Sequence, residues 1–436
     1  MSVEIGGIAI AALVVLIFLG LPIGISMMVV SFVGVALIRN DTVAMRMLGQ
    51  VANDSLREYL FAVVPLFVLM GLLVTVSGVG KDTFDLFERL MRRLRAGLGI
   101  ATVFANAVFA SITGISIASA SVFARVAVPE MTRHGYGKAF STGVVAGSSV
   151  LGMLIPPSLL MIVYAVLAEE SVGRMFLAGV GPGLLLAVIF SVTILLLGTF
   201  RRSFVFDRPD EETVPDPFGA LQTLRLAVPI VSLVLLVLGG LYGGFLNPTE
   251  AGAVGALGAL AIALLRRSLT PRVFWNLLVE TGQITVSVLF LIVAATFFSR
   301  MLAMSGLPNW LAETLLDGSL GHLGFLIVYL ALVIVLGCLI DSISIMLILL
   351  PIALPVAEAA HFDLIWFGVL TVVAVETGLL TPPFGLSVYT IKSALQDDEL
   401  TVGNIFRGAF PFVLAMIAAL AILIAVPSIA TWLARA

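Results

Sequence analysis

The sequence predicts an all-α polytopic membrane protein of two inverted repeats, each of about five transmembrane helices plus a re-entrant hairpin. Three observations predict it. First, 60% of the 436 residues are hydrophobic and 11% charged, with a mean hydropathy of +1.17; soluble domains carry about 25% charged residues. Second, the chain repeats itself. Gly152-Met-Leu-Ile-Pro156-Pro157-Ser158 returns as Gly378-Leu-Leu-Thr-Pro382-Pro383-Phe384, and Pro129 and Pro355 each stand 27 residues before a Pro-Pro pair. Ser77-Gly78 and Ser116 match Ser305-Gly306 and Ser344 at an offset of 228, against 226 for the prolines, the slip expected of diverged halves. Third, matching loops differ in charge, as below.

The elements follow in order. Repeat one, residues 1–200, has apolar segments near 5–20, 21–38, 61–79, 97–128, 139–168 and 175–200. The start is no plain signal peptide, because Glu4 replaces a basic region and the apolar stretch runs on to Ile38. A polar linker, 201–224, with Arg201-Arg202 and Asp207-Arg-Pro-Asp210, separates the halves. Repeat two, 225–436, answers with segments near 226–243, 249–265, 281–304, 324–357, 365–394 and 408–432. Several approach the roughly 20 apolar residues that span a bilayer, and backbone in lipid must satisfy itself, so all are expected to be helical. Amphipathic stretches 41–60 and 270–284 read as interfacial arm helices, although polar loops fit their composition equally.

Charge sets the topology. Lys81, Arg89, Arg92, Arg93 and Arg95 place 81–95 on the cytoplasmic side. The matching stretch 309–323 has no Lys or Arg, so the repeats are expected to be inverted. Arg125, Arg133 and Lys138 are basic as well, so the segment between these clusters enters and returns on one side: hairpin 97–128, with 324–357 as its partner. This count puts Arg39, Arg46 and Arg57 outside, against the rule, unless 41–58 lies in the interface.

Polar, Gly-rich interruptions mark the candidate site: Thr113, Gly114 and Ser116; Ser148, Ser149 and Gly152; Asp341, Ser342 and Ser344; and Glu376, Thr377, Gly378 and Thr381. Pro156-Pro157 and Pro382-Pro383 break the helices that carry the second and fourth, because proline lacks an N–H and clashes with the preceding turn. Such backbone survives at membrane depth only inside protein or beside a water-filled cavity. Freed carbonyls and hydroxyls suit Na⁺, and half-helix N-termini suit a carboxylate. This is the architecture of a secondary transporter. Serines and glycines also pack helices in membranes, which competes with ligation at any single position. Glu250, after Asn247-Pro248-Thr249, reads as a helix cap, and Lys392 and Arg125 as snorkelling residues.

Other classes find little support. Cys338 is alone, and His134, His322 and His361 share no metal-binding spacing. No zinc or Ser/His pattern suggests an intramembrane enzyme, and a net charge of −3 suggests no nucleic-acid partner.

The chain resembles the large membrane subunit of tripartite ATP-independent periplasmic (TRAP) transporters. The resemblance rests on Gly20-Leu-Pro22-Ile-Gly24, Arg133-His-Gly135-Tyr136, Ile155-Pro156-Pro157-Ser158 with Tyr164, and Gly244-Phe-Leu-Asn247-Pro248-Thr249-Glu250-Ala251 with Val254-Gly255. It also includes Ile340-Asp341 leading to Leu350-Pro351, and Thr381-Pro382-Pro383-Phe384-Gly385. Thr113-Gly114-Ile115-Ser116 departs from the family's usual Ser-Gly-Ser run. The resemblance implies a multi-pass protein of the bacterial inner membrane with scaffold and transport domains that works by an elevator movement. It implies Na⁺ as coupling ion, no cofactor and no ATPase. The implied partners are a small four-helix membrane subunit and a periplasmic solute-binding protein, and the cargo a small organic anion such as a C4-dicarboxylate, 2-oxo acid or sugar acid. The competing expectation is a stand-alone sodium–dicarboxylate symporter or antiporter.

Overall fold

The computed structural model describes residues 2–57, 59–91, 94, 96–207, 220–316 and 321–435. In the first half, α1 (Ser2–Phe18) and α2 (Ile23–Ile38) are separated by a turn at Gly20 (φ +86°). The amphipathic α3 (Asp41–Arg57) leads through a 3-10 turn to α4 (Val63–Val76), and α5 (Val79–Met91) leaves α4 at 67°. Helices α6 (Gly97–Thr113) and α7 (Ser116–Arg133) form a hairpin. Next come α8 (Lys138–Leu154) and α9 (Leu159–Leu167), bent by 42° at the first Pro-Pro, and the long α10 (Val172–Phe200).

The second half repeats this order. Helix α11 (Ala220–Val234) continues through a π-helical turn (Leu235–Gly239) to Tyr242, and α12 is Pro248–Leu265. They are followed by α13 (Pro271–Ser305), α14 (Leu307–Leu316), α15 (Gly321–Gly337) and α16 (Ser342–Ala359). Helices α17 (Leu364–Gly378), α18 (Leu386–Leu395) and α19 (Val402–Ala425) complete it. Six helices among the described residues are long and apolar enough to cross a membrane, or up to nine if each bent pair is one span.

Contacts between the halves are reciprocal. Helix α4 packs on α12, while its counterpart α13 packs on α2, the counterpart of α12. Helix α8 packs on α19, and α17 on α10. Helix α18 lies against α7, and α9 against α16, so the second half of each broken helix rests on the other repeat's hairpin.

Local chemistry explains the ends. Asn247 and Glu250 form a full capping box at the start of α12, with both reciprocal bonds at 2.9 Å, as expected for Glu250. Arg266, at the other end of α12, pairs with Asp82 and donates to the Ser77 carbonyl, clamping α12 to the α4–α5 turn. Lys138 pairs with Asp397 at 2.7 Å. That hydrogen bond holds the half-buried Asp397 carboxyl below its usual range. Lys392 turns to the Asp397 carbonyl.

Three expectations need correction. The stretch 270–284 is not a separate arm: α13 runs unbroken for 35 residues. In repeat one, Pro65 sits in the first turn of α4, where it cannot donate backward, so the chain breaks between α3 and α4. Its counterpart at the 228 offset is Val293, which lets the helix continue. Second, α7 and α16 are each 18 residues long and begin at Ser116 and Ser342. Ser116 therefore corresponds to Ser342, not Ser344; the second hairpin turn is longer, which shifts the register. Third, 81–95 and 309–323 are not simple loops, since α5 and α14 occupy much of them. Arg92, Arg93 and Arg95 lie outside the described residues, as does half of the linker, residues 208–219. Its first residues are fixed by a Tyr136–Phe206 antiparallel bridge.

Helices α8 and α19 cross very closely. A Cβ on Gly408 would lie 1.7 Å from the Ala139 carbonyl oxygen, and one on Gly143 2.1 Å from Gly408. Backbones this close exclude any side chain. Gly408→Val is expected to destabilise the protein by roughly 3 kcal/mol or more, beyond ordinary overpacking. Thermal unfolding in detergent measures this, with the open-sided Gly239→Val as the control that should change little.

Candidate functional site

Each hairpin turn is tied to the break of its own repeat. The Leu159 amide, just after Pro156-Pro157, donates to the Gly114 carbonyl at 3.3 Å. The Phe384 amide, just after Pro382-Pro383, donates to the Cys338 carbonyl at 3.3 Å. Both Pro-Pro bonds are cis. Gly114 has φ +65°, and a Cβ there would stand 2.7 Å from the Pro157 carbonyl oxygen, so both conformation and contact call for glycine.

The first break is closed by hydroxyls. Ser158 Oγ donates to the Met153 carbonyl at 2.5 Å and accepts from the Met161 amide at 3.3 Å, bridging the two half-helices. Ser148 Oγ accepts from Asn106 Nδ2 at 2.8 Å. Ser149 Oγ bonds within its helix, and Thr113 Oγ1 reaches the Ala110 carbonyl. Gly152 allows α8 to pass Ala110 of α6. In the second break, Thr377 Oγ1 donates to the Val373 carbonyl and Thr381 Oγ1 to the Thr377 carbonyl. Gly378 meets Gly337 of α15 backbone to backbone.

The two halves meet at one acid. Glu376, 1% exposed on α17, accepts a 3.1 Å hydrogen bond from Ser342 Oγ, the first residue of α16. Ser116, the first residue of α7 and fully buried, approaches the same carboxyl without closing a hydrogen bond. Glu376 Oε2 and Ser116 Oγ are both buried without a partner. Two hairpin helices thus present their N-terminal ends, which favour negative charge, toward one carboxyl. The orphaned oxygens are hard donors of the kind a small cation takes. Asp341, next to Ser342 and so a further candidate oxygen for the same cation, also has a local job: its Oδ1 caps α16 by accepting from the Ser344 amide at 3.1 Å. Thus Ser342, Glu376 and Ser116 gather, Asp341 and Ser344 sit at the α16 start, and Ser148 and Ser149 belong to the α6–α8 contact.

The two breaks differ in access. Pro156, Pro157, Ser158 and the Thr113-Gly114 turn are buried, whereas Pro382, Pro383 and Phe384 are exposed.

The sequence of the tripartite ATP-independent periplasmic transporter family, DctM component, aligns with residues 10–429 of this chain. The chain belongs to that family. Among its relatives is the C4-dicarboxylate TRAP transporter large permease protein DctM of Pseudomonas aeruginosa, 33% identical over 381 residues, covering 86% of each chain. The sialic acid TRAP transporter large permease protein SiaM of Vibrio cholerae is 29% identical and covers 94% of each. The ectoine TRAP transporter large permease protein TeaC of Halomonas elongata is 28% identical and covers 98% of each. Among solved structures, the YdaH transporter of Alcanivorax borkumensis shares the fold at a TM-score of 0.59 and 13% identity, covering 84% of this chain and 85% of that one. MtrF of Neisseria gonorrhoeae does so at 0.61 and 13%, covering 90% and 85%. This TRAP permease is accordingly a multi-pass protein of the inner membrane, and its relatives are transporter permeases, not enzymes.

The sequence reading of this permease missed Asn106. It is fully buried in α6 with Oδ1 unpartnered, and a lone Asn in an apolar segment was the available signal. Folding also brings Glu88, Glu130 and His134 together, with ligand atoms within 4.8 Å, although their spacing shows no pattern. Arg133 already pairs with Glu130 there at 3.4 Å.

Ser342→Ala removes the side-chain hydrogen bond to Glu376 and leaves a buried carboxyl unsatisfied, at an expected loss of about 1–3 kcal/mol. Ser344→Ala keeps its backbone bond to Asp341 and should cost little. Unfolding midpoints of the two variants in detergent give the comparison, and equal midpoints would contradict the assigned register.

Proposed function

We propose that this TRAP permease imports a small carboxylate-bearing solute delivered by a periplasmic solute-binding protein, with Na⁺ as coupling ion and a small four-helix membrane subunit as partner. The coarser reading, a TRAP-type organic anion importer, follows from family membership. The observation that carries the finer one is the convergence of Ser116 and Ser342 on Glu376, between two Pro-Pro breaks. Helix N-termini supply partial positive charge for the solute's carboxylate, while Glu376 Oε2, Ser116 Oγ and nearby carbonyls supply oxygen for a cation.

In such a cycle the two hairpins with their broken helices form the transport domain, and α1–α4 with α11–α13 the scaffold. The two repeats lie inverted across the membrane. Thr113, Gly114, Gly152, Thr377, Gly378 and Thr381 shape the breaks more than they ligate, because their hydroxyls and close contacts are largely used within the protein.

Uptake into proteoliposomes tests this reading. Labelled organic acids should accumulate only with an inward Na⁺ gradient, the small subunit and the binding protein together. Na⁺-driven uptake without the binding protein would instead support a stand-alone symporter. Asp341→Asn is a clean probe, since Asn caps a helix as well as Asp does. It is expected to lower Na⁺-dependent uptake roughly tenfold or more, as for loss of about 1.4 kcal/mol of ion binding, with yield and melting unchanged. Wild-type uptake in that variant would remove Asp341 from the ion site.

A further inference from the structure

We propose that the cleft between α10 and α19 is a binding site for an anionic phospholipid, with Arg201 and Arg407 holding its headgroup. The cleft encloses about 520 Å³ and is bounded by Arg201 at the end of α10, Arg407 near the start of α19, and Thr381 and Pro382 of the second break. The rest of its wall is apolar, with Leu197, Phe406 and Phe410 among its members, and no acidic residue lines it. Among the described residues, neither guanidinium has an ion-pair or hydrogen-bond partner.

The two charges share one end of an antiparallel pair. Helices α10 and α19 pack along their length, with Phe190 against Phe412 at 5.5 Å between ring centres. Arg201 ends the first and Arg407 begins the second, beside Arg202 and the polar linker. The outer faces of both helices, including Leu196, Phe200, Phe410 and Leu414, are exposed and apolar, as surfaces facing hydrocarbon are. A ligand that fits must therefore be anionic at one end and apolar along the other, entered from the lipid side. Basic residues gather on the cytoplasmic side, where the leaflet is anionic, and basic clefts between transmembrane helices there take up anionic headgroups. No residue of α1–α4 or α11–α13 lines the cleft, so it is separate from the boundary where the proposed transport site would open. Thr381 and Pro382 are part of its wall, so an occupant would lie against the second break. This inference rests on the cleft and its charges, independently of the cargo and coupling ion proposed above.

The test uses the full-length chain in neutral detergent, titrated with dioleoyl phosphatidylglycerol and read by native mass spectrometry. Dioleoyl phosphatidylcholine is the lipid control and Arg46→Gln, on α3, the protein control. Each basic residue near an anionic lipid contributes about fivefold in affinity. Arg201→Gln/Arg407→Gln should thus bind phosphatidylglycerol roughly thirtyfold more weakly than wild type, with Arg46→Gln unchanged and phosphatidylcholine weak throughout. The single variants, each expected to lose about fivefold, decide the matter if the double variant melts early. Equal phosphatidylglycerol affinity in wild type and the arginine variants would overturn the proposal. So would displacement of the lipid by succinate, which would make the cleft a carboxylate site.

Discussion

Two backbone hydrogen bonds, Leu159 to Gly114 and Phe384 to Cys338, let broken helices exist in this protein. A helix interrupted by Pro-Pro exposes amides and carbonyls, and lipid offers them nothing. Each hairpin turn supplies an acceptor to its own break. The hairpins must therefore reach the middle of the fold, and the second half of each broken helix must pack on the opposite hairpin to fill the space beside them. Ser158 completes the closure in repeat one, bonded to both sides of its break. The reciprocal packing of the two halves follows from this shared demand.

The halves are alike in backbone and unlike in charge. At the 226 offset, Glu376 corresponds to Val150, so a fully buried acid stands in only one of two matching positions. It draws on both hairpins, through Ser342 and toward Ser116. A symmetric pair of acids would place two buried carboxylates close together, which repel and resist joint ionisation. One acid shared by two helix N-termini avoids that conflict.

Much of this was legible in the sequence because Pro and Gly punctuate helices wherever they fall. The breaks, the hairpins and the capped start of α12 all announce themselves through Pro-Pro, Gly-Ser or Asn-Pro-Thr-Glu. The paired serines were misread because turn length is invisible to an offset: Gly114-Ile115 is matched by Cys338 through Asp341, so Ser344 looked like the partner of Ser116. The fusion of arm and scaffold helix in α13 was missed because a change from polar to apolar composition resembles a boundary. The decisive signal was the lack of a proline where repeat one has Pro65. Contacts such as Asn106 with Ser148, or Arg201 beside Arg407, join residues 42 and 206 positions apart and depend on packing that no local pattern encodes.

At 1.5 Å per residue, the 35 residues of α13 extend about 52 Å, well beyond the roughly 30 Å of hydrocarbon. Its amphipathic beginning is thus welded to its apolar length as one strut. The equivalent pieces of repeat one, α3 and α4, are separate helices with the short turn Tyr59–Ala62 between them. A change in bilayer thickness that tilts α13 must swing its amphipathic beginning through the same angle, and α3 is coupled to that tilt because Asp54 of α3 pairs with Arg300 of α13 at 3.3 Å.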